Sequence, residues 1–167
     1  MPDYGFRPLV PADRALFDAW LAGPHVAGWW GDAEAEWALI EEDWASARTG
    51  RPVTDMRIVT HGGRPFAYVQ DWDVRDHDAP QYADLPEGSR AIDTFLGDPA
   101  YLGRGHAPAY LRARADALLE AGAPCVAVDP DPGNARALAA YARAGFEPHR
   151  EVPCEDGDPV RVMLRRG

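Results

Sequence analysis

Asn134, Ala137 and Tyr141 stand at offsets of 0, 3 and 7 in the segment DPDPGNARALAAYARAGF, residues 129–146. Those offsets share one face of an α-helix, so an amide, a small side chain and a phenol point the same way. Upstream, Leu102-Gly103-Arg104-Gly105-His106-Ala107 makes a glycine turn that opens another helix. Glycine lets the backbone aim successive N–H groups at one point, and a helix start adds unpaired donors and partial positive charge. Arg104 brings a full charge to the rim. The pair reads as a site for a pyrophosphate-bearing cofactor with a phenol near its reactive end. Each half also has a plainer explanation: an ordinary turn before a helix, or a helix start with a packing alanine and a half-buried tyrosine. What separates the readings is the order of glycine turn, helix, buried strand and N-x-x-A-x-x-x-Y helix.

The elements that must position these residues can be read from periodicity and turn signals. FRPLV is a short strand, and Pro11-Ala12-Asp13 opens an amphipathic helix with Leu16, Trp20 and Leu21 at helical spacing, stopped by Gly23-Pro24. A loop with Trp29-Trp30 precedes a second helix, Ala33 to Ala47, striped by Trp37, Ile40 and Trp44. Two strand-like runs, Met56–Thr60 and Phe66–Trp72, flank Gly62-Gly63, a hairpin signal. Residues 73–88 read as an Asp- and Pro-rich loop, and Arg90–Gly97 as a strand. A helix over 107–121, a buried strand Pro124–Val128, a helix over 133–143 and strands near 146–152 and 159–164 complete the order β-α-α-β-β-β-α-β-α-β-β. Mixed α/β with a largely antiparallel sheet follows, in a single domain over 1–167.

Bulk properties bound the function classes. The 167 residues, 46 % hydrophobic and 26 % charged, suit one domain with a full core. No apolar run approaches the ~20 residues of a membrane span, and the start lacks a signal-peptide pattern, so the cytoplasm is expected. Two cysteines imply no disulfide framework, and the five histidines lie singly, so no metal is expected. Seventeen basic against 27 acidic residues give a net charge of −10, which disfavours nucleic acid and anionic membranes and favours cationic small molecules or basic peptides. Excess acid can equally serve solubility alone. The acids crowd into residues 71–93, where Asp84, Glu87 and Asp93 fall.

From Arg90 to Phe146 most strongly, and over nearly its whole length, the chain resembles the GNAT superfamily of acyl-CoA-dependent N-acyltransferases. The resemblance implies the GNAT fold, a mixed, mostly antiparallel central sheet flanked by helices, and acetyl-CoA as the acyl donor. The family's R/Q-x-x-G-x-G/A turn falls on Leu102 through Ala107, with Leu102 in place of Arg or Gln, Gly105 next and Ala107 last. The loss at Leu102 removes a side-chain contact and leaves the main-chain donors of Gly103, Arg104, Gly105, His106 and Ala107. The strand before it implies main-chain contacts to pantetheine from Thr94, Phe95 and Leu96. Asn134, with Ala137 on the same face, matches the cofactor-facing asparagine, and Tyr141 the general acid.

Within the superfamily, HVAGWWGD, RAID and VDPDPGNARALAAYARAGF look like the aminoglycoside 6′-N-acetyltransferase and siderophore-acetylating branch. That likeness implies that Asp93 and Asp129 face the acceptor amine, that Trp29 and Trp30 wall its cleft, and that Asp84 or Glu87 adds an acidic contact. The residue types fit. A primary amine is protonated at neutral pH and must lose a proton before attack, which a carboxylate can orient and accept. The expected function is acetyl transfer to a cationic amine-bearing small molecule by direct attack on the thioester, with no metal, by a monomer or homodimer. Acetylation of a siderophore precursor or of a peptide or protein amine is the alternative within the fold. A non-catalytic acyl-CoA-binding module is the alternative outside enzymology.

Overall fold

The structure, a computed structural model, describes residues 2–50 and 54–167. Seven strands form one sheet in the order β1-β2-β3-β4-β5-β7-β6. They are β1 Tyr4–Pro8, β2 Asp55–His61, β3 Arg64–Asp73, β4 Arg90–Leu96, β5 Val126–Val128, β6 Glu147–Pro153 and β7 Pro159–Arg165. Four helices intervene: α1 Arg14–Leu21, α2 Ala33–Ala47, α3 His106–Glu120 and α4 Ala135–Arg143. The element order and the mixed, mostly antiparallel sheet agree with the periodicity, and β4–β5 pair in parallel. Of three short 3-10 turns, Pro11–Asp13 is the expected opening of α1, and Pro80–Tyr82 and Pro99–Tyr101 are additions. Each opens with a proline, whose fixed φ favours a tight turn.

Contacts within the chain gather it into two compact units, Met1–Gln70 with Thr94–Arg104, and Asp71–Asp93 with Gly105–Gly167. In the first unit, α1 and α2 turn their apolar stripes inward. Phe17, Trp20, Trp37 and Ile40 are buried with Ile58, Tyr68 and Phe95 in one cluster. Asp13, 7 % exposed, is held by Arg7 at 2.7 and 2.8 Å and accepts the Val10 amide at 3.0 Å, which secures the start of α1. Asp32 caps α2 by accepting from the Ala35 amide. Gly62 and Gly63, at φ 56° and 80°, make the left-handed turn that joins β2 to β3.

In the second unit, Trp72, Tyr82, Leu85, Ala91, Cys125, Ala127 and Val162 form the core cluster. The acid-rich stretch is not uniformly solvated. Asp71 on β3 is 1 % exposed and bonds Arg90 on β4 at 2.7 Å and Arg114 on α3 at 2.6 Å. One buried carboxylate with two guanidinium partners ties three elements together. Residues 73–88 are also more ordered than a solvated loop, because the 3-10 turn Pro80–Tyr82 inserts the buried Gln81 and Tyr82. Among the described residues, no helix is long and apolar enough to cross a membrane.

Candidate active site

Pairing of β4 with β5 matches Arg90 to Val126 and Ala91 to Ala127. Parallel strands advance together and return to the same face every second residue. Two steps past the last pair therefore bring Asp93 on β4 and Asp129, just beyond β5, to equivalent positions. Their charges interact: burial first, and then the Asp93 carboxylate, push the Asp129 carboxyl up to about 7. Trp72, from β3, donates its indole N–H to Asp93 Oδ2 at 2.9 Å. Gln81 donates from Nε2 to Asp129 Oδ2 at 2.9 Å and to Glu155 Oε2 at 3.1 Å. The sequence-expected acids Asp93 and Asp129 thus come together.

Tyr141 lies on α4, 8 % exposed. Its phenol is pushed well above the ordinary value, chiefly by burial, then by Tyr110, Asp93 and Asp129. A phenol so placed keeps its proton at neutral pH and has that proton to donate. Tyr82, fully buried on its 3-10 turn, is raised by burial and by the same two carboxylates. Its hydroxyl lies beside Asp129 without a hydrogen bond of good geometry.

Asn134 stands one residue before α4. Its side-chain carbonyl accepts from the Ala137 amide at 3.1 Å, so it caps the helix that carries Tyr141. Ala137 falls in the first turn of that helix. Gly103 and Gly105 both have positive φ, 70° and 79°, and Gly105 is the N-cap of α3 with no side-chain cap. The first amides of a helix have no partner within it. This glycine turn at the start of α3 is of the kind that suits an anion such as a pyrophosphate. Leu102 is extended and half-buried, and Arg104 is exposed.

Other expected residues are placed differently from one another. Thr94 donates its hydroxyl to the Tyr68 carbonyl at 2.6 Å, and Phe95 is buried among aromatic rings. His25 Nε2 lies 3.0 Å from the Leu96 carbonyl oxygen and 3.1 Å from that of Gly97; two acceptors make it the protonated nitrogen. Trp29 is 53 % exposed, whereas Trp30 packs edge-on to Tyr68 and Phe95. Asp84 is paired with His149 at 2.7 Å and Arg150 at 3.1 Å, and Glu87 is exposed.

Gln81, Tyr82, Glu155 and Trp72 surround the two acids and escaped sequence reasoning. Pro80 before two bulky residues was the available signal for the turn. Nothing local marks Glu155, which the β6–β7 turn brings in from a distant part of the chain.

Comparisons with known proteins agree on the family and the fold. Residues 10–154 match the family described as acetyltransferase (GNAT) domain. The chain is 28 % identical over 164 residues to the aminoglycoside N(6′)-acetyltransferase type 1 of Klebsiella pneumoniae, covering 96 % of this chain and 82 % of that one. A structure of AAC(6′)-Ib with paromomycin and acetyl-CoA superposes with a TM-score of 0.84 at 27 % identity, covering 98 % of this chain and 93 % of that one. Another, with coenzyme A and kanamycin, gives 0.83 at 26 % identity, covering 98 % and 95 %. With the match extending from before α1 to the end of β6, this chain belongs to the GNAT acetyltransferase family.

Proposed function

We propose that the protein is an acetyl-CoA-dependent N-acetyltransferase acting on the 6′-amine of aminoglycosides. The observation that carries the reading is the meeting of Asp93 and Asp129 at equivalent positions on adjacent parallel strands. Two partly buried carboxylates that repel each other are relieved by an ammonium placed beside both. The relatives solved with aminoglycosides and coenzyme A support this choice of substrates.

Acetyl-CoA supplies an acetyl group activated as a thioester. The anion-binding amides of Gly105, His106 and Ala107, with Gly103 and Arg104 before them, are assigned to its pyrophosphate. Thr94, Phe95 and Leu96 on β4, and Asn134 and Ala137 at the start of α4, are assigned to its remaining length; Leu102 contributes main chain only. Asp93, fixed by Trp72, orients the substrate ammonium. Asp129 accepts its proton, freeing the nitrogen lone pair that forms the new amide bond. Tyr141, held protonated by burial, supplies the proton taken up by the departing thiolate. Such acid–base assistance is worth ~10²–10⁴-fold, and positioning supplies much of the rest.

Trp29 keeps a role as an exposed aromatic substrate contact. Trp30 serves the same segment by packing beneath it. Asp84 and Glu87 are outer acidic contacts for further ammonium groups, although Asp84 must give up two cationic partners to serve. A monomer or a homodimer and a cytoplasmic setting are part of the proposal.

The test is acetyl-CoA-dependent thiol release with kanamycin, spermidine, a hydroxylysine derivative and a basic peptide. Rapid turnover of kanamycin, reduced about 100-fold or more in Asp93→Asn, is expected. Turnover confined to the hydroxylysine derivative or the peptide would replace the acceptor. Cofactor binding with no turnover on any of them would overturn the enzymatic assignment.

A further inference from the structure

Gln81 is a neutral side chain set among acids, and its environment is unusual. It is 2 % exposed, and Nε2 serves two carboxylates from different elements, Asp129 beyond β5 and Glu155 in the β6–β7 turn. Its Oε1 is buried with no hydrogen-bond partner. Turning the amide over would place that oxygen against two carboxylates, so only this orientation is compatible with both being ionised. The backbone around it is held as well. Arg75 donates to the carbonyls of Tyr82, Ala83 and Leu85, and Arg150 reaches the Gln81 carbonyl at 3.4 Å. The amide is therefore fixed in place rather than free to follow the acids.

We propose that Gln81 is a positioning residue for acyl transfer, whose amide holds Asp129 in its ionised, proton-accepting form and couples it to Glu155. This rests on the reading of Asp129 as the base. The groups facing Asp129 pull in opposite directions. Asp93 from β4 and Glu155 from the β6–β7 turn oppose its ionisation, while the Gln81 amide favours it and the Tyr82 hydroxyl is a further donor beside it. Tyr141 on α4 feels the Asp129 charge as well and stays neutral. Removing Gln81 leaves only the Tyr82 hydroxyl against the repulsive side, and removing the Glu155 charge weakens that side.

The experiment follows the Asp129 carboxyl by ¹³C titration in the full-length protein. It is paired with pH profiles of kcat/KM for acetyl-CoA and kanamycin in Gln81→Met and Glu155→Gln. Gln81→Met should raise the Asp129 midpoint by about one pH unit. It should also lower kcat/KM about tenfold below that midpoint, with recovery at high pH. Glu155→Gln, a change at an exposed residue that leaves the core intact, should move both midpoints down. An unmoved Asp129 titration in both variants, or a loss in Gln81→Met that is equal at every pH, would overturn the proposal. A carboxyl titration that moves while the catalytic limb stays fixed would instead overturn Asp129 as the base, a failure distinguishable from that of Gln81.

Discussion

Burial and the neighbouring Asp93 charge raise the proton affinity of the Asp129 carboxyl, and its behaviour follows from that. An unfolded chain ionises this carboxyl near ~3.9, whereas the fold holds the proton until about 7. Between those values the folded protein binds more protons than the unfolded one, so this residue's contribution to stability falls as pH rises through the window. Asp129→Asn should flatten the pH dependence of the melting temperature between about pH 4 and pH 7, read by thermal denaturation across that range. The same variant should also abolish an acid limb in kcat/KM near neutrality; a limb that persisted unchanged would assign the base elsewhere. Tyr141→Phe should retain cofactor binding while lowering kcat by ~10²-fold or more, measured by titration calorimetry alongside turnover. Both changes leave the helix and strand ends that carry these side chains untouched.

At the scale of elements, β3, β4 and α3 are tied together by one buried carboxylate. Asp71 does this from the interior, facing Arg90 and Arg114, whose side chains are themselves only 24 % and 12 % exposed. Deleting one member of such a cluster leaves charges unpaired in a place poor in water, at a cost of about 3–5 kcal/mol. Asp71→Ala should therefore lower the melting temperature by several degrees, whereas an exposed pair such as Arg161–Glu151 should be nearly silent. The α4 helix illustrates a division of labour that the stripe alone could not express. Offsets of 0, 3 and 7 were legible, yet Asn134 closes the helix start by accepting from Ala137, so the amide proposed to face a cofactor also caps the helix that carries Tyr141. The short turn Pro80–Tyr82 was hidden because three residues offer no periodicity, and its buried side chains look in sequence like any aromatic loop.

Across the whole molecule the dominant quantity is the net charge of −10. A polycationic acceptor is drawn toward such a surface, and dissolved salt screens the attraction over about 10 Å at 0.1 M. KM for kanamycin should rise several-fold between low and high ionic strength with little change in kcat, measured by steady-state kinetics at fixed pH. A neutral amine should show no such dependence. The charge is unevenly used: Asp71 and Asp13 are absorbed by internal arginine pairs, while Asp93, Asp129 and Glu155 are collected with Gln81 and Trp72 as their donors.

Resemblance to a family singled out the two acids, while local order and spacing by themselves determined the element order, the glycine turn at Gly103–Gly105 and the capped helix of Tyr141. These depend on φ, capping and periodicity, which are properties of short segments. Tertiary structure alone decided how those acids behave. The parallel register of β4 and β5 set Asp93 beside Asp129, and burial turned Asp129 into a group that titrates near neutrality. Chain closure brought Gln81 and Glu155 to it from 48 and 26 residues away along the sequence. The energy of a charge depends on its neighbours and its distance from water, and neither quantity is written in the order of the residues.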